Sequence, residues 1–131
     1  MSIRVGAIAL LKNDNHEILM MLRNREPAKG CWAIPGGKVE LYERLEDTIK
    51  REMKEELGVE VEVTKFLCNI QDINLETEQH WIMPVYEAKV IQGVVENKEP
   101  EKHLDLKWFS MNEIPENISF MTKMVIEELK K

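Results

Sequence analysis

The stretch that decides the fold is Gly37–Val59, which reads GKVELYERLEDTIKREMKEELGV. Apolar residues recur at helical spacing between Arg44 and Leu57, and this pattern predicts a helix there. Gly58 follows directly, as glycine commonly does just after the last helical residue. The stripe expected to face the core consists of Leu45, Ile49, Met53 and Leu57.

Acidic side chains crowd the same predicted helix. On a helical wheel with Leu45 at zero, Glu56 falls near ~20°, Glu52 near ~340° and Glu55 near ~280°. Glu52 and Glu56 therefore lie at the edge of the apolar stripe, where ionised carboxylates are costly unless they are paired or bind metal. They are also like charges four residues apart, which destabilises an isolated helix. One interpretation is a site for a hard divalent cation.

The alternative from the wheel alone is a solvated acidic helix. Its carboxylates would then pair with neighbouring bases, because charge clusters on helices are usually surface features. The available bases are Lys50, Arg51 and Lys54. Helical spacing leaves these two interpretations open.

A longer pattern points to one family. Gly37 is followed after five residues by Glu43, and after seven more by Arg51–Val59, which reads REMKEELGV. This resembles the Nudix box, G-x5-E-x7-R-E-U-x-E-E-x-G-U with U an aliphatic residue, at every specified position. Trp32–Glu40 also resembles the lead-in of the 8-oxo-dGTP diphosphatase-like branch. Tyr42 is a departure, because many members carry glycine there, and it leaves the geometry of this loop open.

The resemblance implies a fold and an activity. The implied fold class is α/β, a Nudix-type α/β/α sandwich with a mixed central sheet, the Nudix helix and a carboxyl-terminal helix. Residues 1–131 would form one hydrolase domain, with the box at 37–59. The implied activity is Mg²⁺-dependent pyrophosphohydrolysis, with a nucleoside triphosphate cleaved to its monophosphate and pyrophosphate. The alternatives are an ADP-ribose or nucleotide-sugar pyrophosphatase and, less favoured, a nucleotide sensor without catalysis.

The resemblance also implies the site. Mg²⁺, with Mn²⁺ as a possible substitute, would be held by Gly37, Glu52, Glu55, Glu56 and Glu101. The residues expected in catalysis are Glu52, Glu55 and Arg51, and Arg51 should also pair with Glu43 to hold the loop against the helix. Substrate-binding residues would be Arg23, Gly37 and Lys38. Glu99, His80 and His103 are weaker candidates, each with a surface role as the alternative.

Other elements follow from local patterns. Strands are predicted at Arg4–Leu11 and Glu17–Arg23, joined as a hairpin by the turn at 13–15, and at 59–64. A later strand runs through Ile91, and Pro84 within it indicates an edge position or a bulge. Ser110 and Glu113 match a capping box. The last strand and helix are predicted at 104–109 and 119–130, with Met121, Met124, Val125 and Leu129 facing the core.

Composition excludes several classes of protein. The chain has 131 residues and a net charge of −6, which disfavours non-specific binding to nucleic acid. Its longest apolar run, Val5–Leu11, is far shorter than the roughly 20 residues of a membrane span. We expect no membrane association, no signal peptide and a cytoplasmic location, with Cys31 and Cys68 as reduced thiols. A homodimer is expected because symmetric dimers are the commonest oligomers.

Overall fold

The computed structural model describes residues 2–131, so Met1, part of the predicted domain 1–131, lies outside it. Within residues 2–131, four strands precede the first of two helices and three more strands precede the second. The strands are β1 (Arg4–Leu11), β2 (Glu17–Arg23), β3 (Trp32–Ala33), β4 (Gly36–Lys38), β5 (Glu60–Asn74), β6 (Gln79–Gln92) and β7 (His103–Ser110). The helices are α1 (Leu45–Leu57) and α2 (Phe120–Leu129).

The strands form two sheets. The larger has the order β4-β1-β6-β5, with β1 parallel to β6 and the other pairs antiparallel. The smaller has the order β3-β2-β7 and is antiparallel. This mixed arrangement confirms the predicted α/β class.

A helix covers each face of the layer of strands. In β1, Ala7 and Ala9 belong to the apolar cluster that contains the buried residues of α1. Ile8 and Leu10, which alternate with them, belong to the cluster that contains Val125 of α2. Successive strand residues point to opposite faces, so β1 is buried on both. The predicted α/β/α sandwich follows from this alternation.

The predicted hairpin between β1 and β2 is wrong. The chain does reverse after β1, where the N–H of Asn13 donates to the carbonyl of Glu17 at 3.1 Å. In the described residues, the strand pairing between the two segments is limited to one isolated bridge, between Lys12 and Ile18. Because β4 and β6 already occupy the two edges of β1, β2 pairs with β3 and β7 instead.

The predicted edge position of Pro84 is also wrong, because β6 lies between β1 and β5. On the β1 side the pairing passes from Ile82 directly to Val85. Pro84 therefore sits where β1 has no partner residue for it, which accommodates its missing N–H. The nearby irregularity in register lies in β5, between Phe66 and Cys68.

The predicted capping box at Ser110 forms a turn and not a helix. The Ser110 carbonyl accepts from the N–H of Glu113 at 2.9 Å, and its side chain accepts from that of Asn112 at 3.3 Å. The next helix begins at Phe120, and its N-cap is Ser119. Nothing in the Ser-x-x-Glu pattern distinguishes a turn from the start of a helix.

Buried polar contacts join the start of α2 to the segment that leads into β4. Thr122 is fully buried, and its hydroxyl oxygen accepts from the N–H of Ile34 at 3.1 Å and from the Ser119 hydroxyl at 2.8 Å. The N–H of Trp32 donates to the carbonyl of Asn117 at 2.8 Å, and that of Ser119 to the carbonyl of Trp32 at 3.0 Å. Val125 and, beyond the prediction, Ile126 are buried in the core.

Within residues 2–131, no helix is long and apolar enough to cross a membrane. Both cysteines are free thiols.

Candidate active site

Helix α1 presents the predicted carboxylates, and its end is fixed by local chemistry. Gly58 adopts the left-handed conformation at φ 70°, and its N–H donates to the carbonyl of Lys54 at 3.0 Å. Residues other than glycine rarely adopt this conformation, so the helix ends where the sequence predicts. The negative charges of Glu46 and Asp47 in the first turn interact favourably with the helix dipole.

The three acidic residues of α1 differ sharply in exposure. Glu56 is 7% exposed, whereas the side chains of Glu52 and Glu55 are 16% and 57% exposed. Burial, followed by the hydrogen bond and the charge of Glu52, raises the pKa of Glu56 to about 9. Glu52 and Glu56 are therefore adjacent at the border of the core, as the helical wheel predicts.

Arg51 ties the loop before α1 to the helix. Its guanidinium donates from Nε to Glu43 Oε2 at 2.8 Å and from Nη2 to Glu43 Oε1 at 3.0 Å. This fork, together with the Thr48 hydroxyl at 2.6 Å, lowers the pKa of Glu43 to about 2. The pair is the one that the resemblance implies. Nη1 of the same guanidinium donates to Glu52 Oε1 at 2.7 Å, so the clamp also orients Glu52.

Gly37 lies directly against the carboxyl group of Glu52. A Cβ built on Gly37 would come within 2.1 Å of Glu52 Cδ, a separation that atoms do not tolerate. A side chain at this position would displace the Glu52 carboxyl group from its 2.7 Å bond with Arg51, so glycine keeps that group in place. Lys38, next in β4, is exposed, and its carbonyl accepts from Arg51 Nη2 at 3.2 Å.

The donor set fits a hard divalent cation, because Glu52, Glu56 and the backbone at Gly37 offer carboxylate and carbonyl oxygens, the ligands that Mg²⁺ prefers. Within the described part of the chain, no three acidic, histidine or cysteine groups already converge on one point. Glu55 lies 3.4 Å from Arg51 Nη1, and the same guanidinium nitrogen holds Glu52. Arg51 would thus compete with a metal ion for two of its predicted ligands, Glu52 and Glu55.

The segment 96–103 is fastened to the end of α1. The N–H of Lys98 donates to the carbonyl of Glu56 at 2.9 Å, and that of Glu96 to the carbonyl of Leu57 at 3.0 Å. This brings Glu99 close enough for its charge to raise the pKa of Glu56 further. The Glu101 side chain is exposed, and its backbone carbonyl accepts from Asn24 at 3.1 Å. Glu99 is therefore the carboxylate of this segment that acts on Glu56.

Two arginines, one at the end of β2 and one just after it, interact electrostatically with Glu56. Arg23 donates from Nε to the carbonyl of Pro27 at 2.7 Å. Burial and the charge of Arg25 lower the pKa of Arg23, whereas the charge of Glu56 opposes this shift. Arg25 also acts on Glu56. The sequence predicts Arg23 as a substrate contact but overlooks Arg25, which only the chain path after β2 brings to the carboxylates.

His103 completes this region and was only a weak candidate in the sequence. It is 7% exposed, and within residues 2–131 its Nδ1 has no hydrogen-bond partner. Its backbone pairs with Arg23 across β2 and β7. Burial is the main cause of its lowered pKa, and the charges of Glu99, Arg25 and Arg23 also act on it. No local pattern signals its position, since the pairing of two strands distant in sequence creates it. His80 lies elsewhere, paired with Ile73 of β5.

Comparisons with known proteins support the same family. The NUDIX domain matches residues 2–127. An ADP-ribose pyrophosphatase of Methanocaldococcus jannaschii is 31% identical over 124 residues, which are 95% of this chain and 71% of that protein. The crystal structure of a MutT NUDIX hydrolase from Burkholderia pseudomallei superposes with a TM-score of 0.93 at 36% identity, covering 98% of this chain and 99% of the other.

Other relatives match over a shorter stretch of this chain or are much longer proteins. The nucleoside triphosphatase NudI of Klebsiella pneumoniae is 41% identical over 56 residues, which are 42% of this chain and 40% of that protein. Several further relatives are much longer, and the chain spans only 30 to 32% of their length. The domain match, the archaeal relative and the superposition agree with the box at 37–59 and with the fold. The chain belongs to the Nudix hydrolase family.

Proposed function

We propose that this chain is a divalent-metal-dependent nucleotide pyrophosphohydrolase that cleaves a nucleoside triphosphate to the monophosphate and pyrophosphate. One observation carries the proposal: Glu56 is buried against Glu52, and no residue of the described range 2–131 forms a salt bridge with Glu56. Without a cation, a carboxyl group in this position keeps its proton, and an external cation that binds both glutamates would replace that proton. We also propose that residues 1–131 form one catalytic domain.

We assign the cation to Mg²⁺, with Mn²⁺ as a substitute. The proposed ligands are Glu52, Glu55, Glu56, the backbone at Gly37 and a carboxylate of segment 96–103. Glu101 is the predicted ligand of that segment, although the charge of Glu99 is the one that reaches Glu56. When bound, such an ion polarises phosphoryl oxygens and neutralises a pyrophosphate leaving group.

The chain's own residues have separate tasks in this proposal. Glu52 accepts the proton of the attacking water, and Arg51 holds its carboxylate in place through the 2.7 Å bond. Arg23 and Arg25 supply positive charge beside Glu56, which suits a phosphate chain. Lys38, exposed at the end of β4, is proposed as a further phosphate contact.

The first test is a panel of nucleotides assayed with Mg²⁺ and with a chelator, with the products identified. We expect nucleoside monophosphate and pyrophosphate in the presence of Mg²⁺ and no turnover without a divalent ion. Glu52→Gln should lower kcat by about 10²–10⁴-fold, because the substitution removes a general base while the fold is retained. Asp47→Asn on the exposed first turn of the same helix is the control. Unchanged turnover in Glu52→Gln would remove Glu52 from the mechanism.

A second candidate is ADP-ribose or a nucleotide sugar, and the archaeal relative named as an ADP-ribose pyrophosphatase favours it. NudI, named as a nucleoside triphosphatase, favours the first candidate through a match of 56 residues. The same panel separates them, because faster turnover of ADP-ribose than of every triphosphate would reverse our ranking. Tight nucleotide binding without turnover of any substrate would instead support a sensor.

A cytoplasmic location and a homodimer also belong to this proposal. The free thiols Cys31 and Cys68 suit a reducing compartment. Light scattering on the purified protein tests the homodimer, which a monomeric mass at micromolar concentration would contradict.

A further inference from the structure

Thr48 is a fully buried polar side chain of α1. It is one of the seven residues between Glu43 and Arg51 that the Nudix box does not specify. Its hydroxyl oxygen lies 2.6 Å from Glu43 Oε1 and 3.3 Å from the carbonyl of Arg44. A hydroxyl has one proton to donate, and the shorter contact with a carboxylate is the stronger of the two. Thr48 therefore donates to Glu43, and not to the carbonyl one turn back that a helical threonine often uses.

The carboxylate that Thr48 holds is the first of a series of contacts along α1. Glu43 accepts from Arg51 Nε at 2.8 Å and from Nη2 at 3.0 Å. Nη1 of the same guanidinium donates to Glu52 Oε1 at 2.7 Å. The side chains of Glu43 and Arg51 are 15% and 25% exposed, whereas Thr48 is 0% exposed. A buried β-branched side chain has little rotamer freedom, so Thr48 is the most firmly held member of the series.

We infer that Thr48 is a positioning residue for the proposed reaction, because its hydroxyl fixes the series of contacts that ends at the Glu52 carboxylate. This inference rests on the proposed function, in which Glu52 accepts the proton of the attacking water. Thr48 contacts neither the nucleotide nor the metal ion in this proposal, and it acts through consecutive hydrogen bonds. Reacting groups must be held to within about 0.5 Å, so a small displacement of Glu43 should be enough to reduce turnover.

Thr48→Val replaces the hydroxyl by a methyl group at nearly the same volume. A carbon atom approaches an oxygen only to about 3.3 Å, so the methyl cannot take the place of the hydroxyl 2.6 Å from Glu43 Oε1. The carboxylate must then move by roughly 0.7 Å or more, and Arg51 with it. We expect kcat to fall about ten- to a hundredfold. The KM for the nucleotide should stay within about twofold, because Thr48 does not contact the substrate.

Thr48→Ser and Thr48→Ala form a second pair of variants. Both lack the threonine methyl, and they differ from each other only in the hydroxyl. We expect Thr48→Ser to keep kcat within about threefold of the wild type and Thr48→Ala to lose about tenfold. Thr122→Val is the control, because Thr122 is also fully buried and its hydroxyl oxygen is also hydrogen-bonded, but it lies in α2. That variant should lose stability and keep its kcat.

A second measurement needs neither metal nor nucleotide. In chelator, the Nε–H group of Arg51 should give an NMR signal that is identified by its absence in Arg51→Lys. The position of this signal reports the hydrogen bond to Glu43. We expect the signal to move or broaden in Thr48→Val and Thr48→Ala, and to remain in place in Thr48→Ser and in the Thr122→Val control.

Several outcomes overturn the inference. Wild-type kcat in Thr48→Val would do so, as would equal kcat in the serine and alanine variants, which decide the question even if the valine variant fails to fold. An Arg51 signal that is unchanged in Thr48→Ala would also do so. A wild type that cleaves no nucleotide would remove the proposed function and, with it, the role of Thr48. A wild type that cleaves nucleotides while the serine and alanine variants are equally active would remove only this inference.

Discussion

Two glutamates in different parts of the molecule are almost equally buried. Glu56, at the end of α1, is 7% exposed, and Glu87, in β6, is 9% exposed. Burial raises the pKa of both, but two lysines outweigh it at Glu87, where Lys12 forms a salt bridge and Lys65 lies 3.3 Å away, and the pKa of Glu87 falls. At Glu56 the neighbour is Glu52, and the pKa rises to about 9.

The difference distinguishes a carboxylate that is paired within the fold from a carboxyl group that is available to bind an external cation. The lysines of Glu87 belong to the fold, so that carboxylate is compensated within the chain. Glu56 forms no salt bridge in residues 2–131, the charge of Arg25 offsets its burial only in part, and its pKa of about 9 means that it keeps a proton at neutral pH. A buried carboxyl group without a salt bridge in the chain thus marks where an external cation is expected, while burial alone does not.

The largest expected effect comes from removing the charge of Glu56. Glu56→Gln should lower kcat/KM by on the order of 10²-fold or more, because a proposed metal ligand is lost. In chelator at pH 8 the variant should melt at or above the temperature of the wild type, because the wild type must take up a proton at Glu56, whose pKa is about 9, when it folds, and the neutral amide avoids this cost. Differential scanning fluorimetry should also show that Mg²⁺ raises the melting temperature of the wild type more than that of the variant. Wild-type turnover in Glu56→Gln would contradict the comparison.

Thr122 provides a buried polar group whose partners are all internal. Thr122→Val keeps the volume but leaves the N–H of Ile34 without its acceptor at 3.1 Å. We expect a loss of about 2 kcal/mol in the free energy of unfolding, measured by urea denaturation, with normal turnover per folded molecule. Thr77→Val in the exposed turn after β5 is the control. Equal stability of the two variants would show that the contact contributes nothing.

Acid should reveal the contribution of Glu87. Its pKa is lowered in the folded chain, so the stability from its lysine pairs is present above the ordinary value of 4.5 and is lost as the pH falls through the folded value. The difference in urea midpoint between wild type and Glu87→Gln should therefore shrink between pH 7 and pH 3. Glu62 is exposed on β5, and Glu62→Gln should show a smaller difference in urea midpoint from the wild type at both pH values. A difference independent of pH would contradict the assignment.

The smallest expected effect lies in the loop before α1. Tyr42 is 96% exposed and adopts the left-handed conformation at φ 70°. Tyr42→Gly should raise the free energy of unfolding by about 0.5–1 kcal/mol, because the relief of strain exceeds the added entropy of the unfolded chain. Leu41→Gly, at a neighbouring position that is 83% exposed and has no positive φ, should bring no such gain. Turnover should not change in either variant.

Local patterns in the sequence predict α1 well. The helix predicted at 44–57 is observed at Leu45–Leu57, and Gly58 ends it. The glycine preference before Glu43 also has its reason in the positive φ of Tyr42. Each of these features depends on residues within one or two turns of chain. The placement of Glu52 and Glu56 at the border of the core follows from the same periodicity.

The sequence analysis did not predict the features that depend on pairing between strands distant in sequence. The strand partners of β2 and the central position of Pro84 in β6 follow from which sheet edges remain free, which no short stretch encodes. Arg25, which the sequence analysis did not name, and Glu99, which it named as a weaker candidate, act on Glu56 through the path of the chain after β2 and the attachment of segment 96–103 to α1. The sequence therefore predicts the part of the candidate site that lies on α1, and it predicts little of the part formed by the residues after β2 and in segment 96–103.

The attachment of segment 96–103 has a consequence for how this family member can change. Its amides donate hydrogen bonds to the carbonyls of Glu56 and Leu57, so the conformation of the segment depends on the same turn of α1 that carries the Glu56 carboxyl group. Under the proposed function, insertions or deletions there would move the proposed metal ligands of the segment and of α1 together, and new substrate preferences should arise more readily by point replacement than by altered length. Grafting the segment onto another scaffold would require moving the last turn of α1 with it.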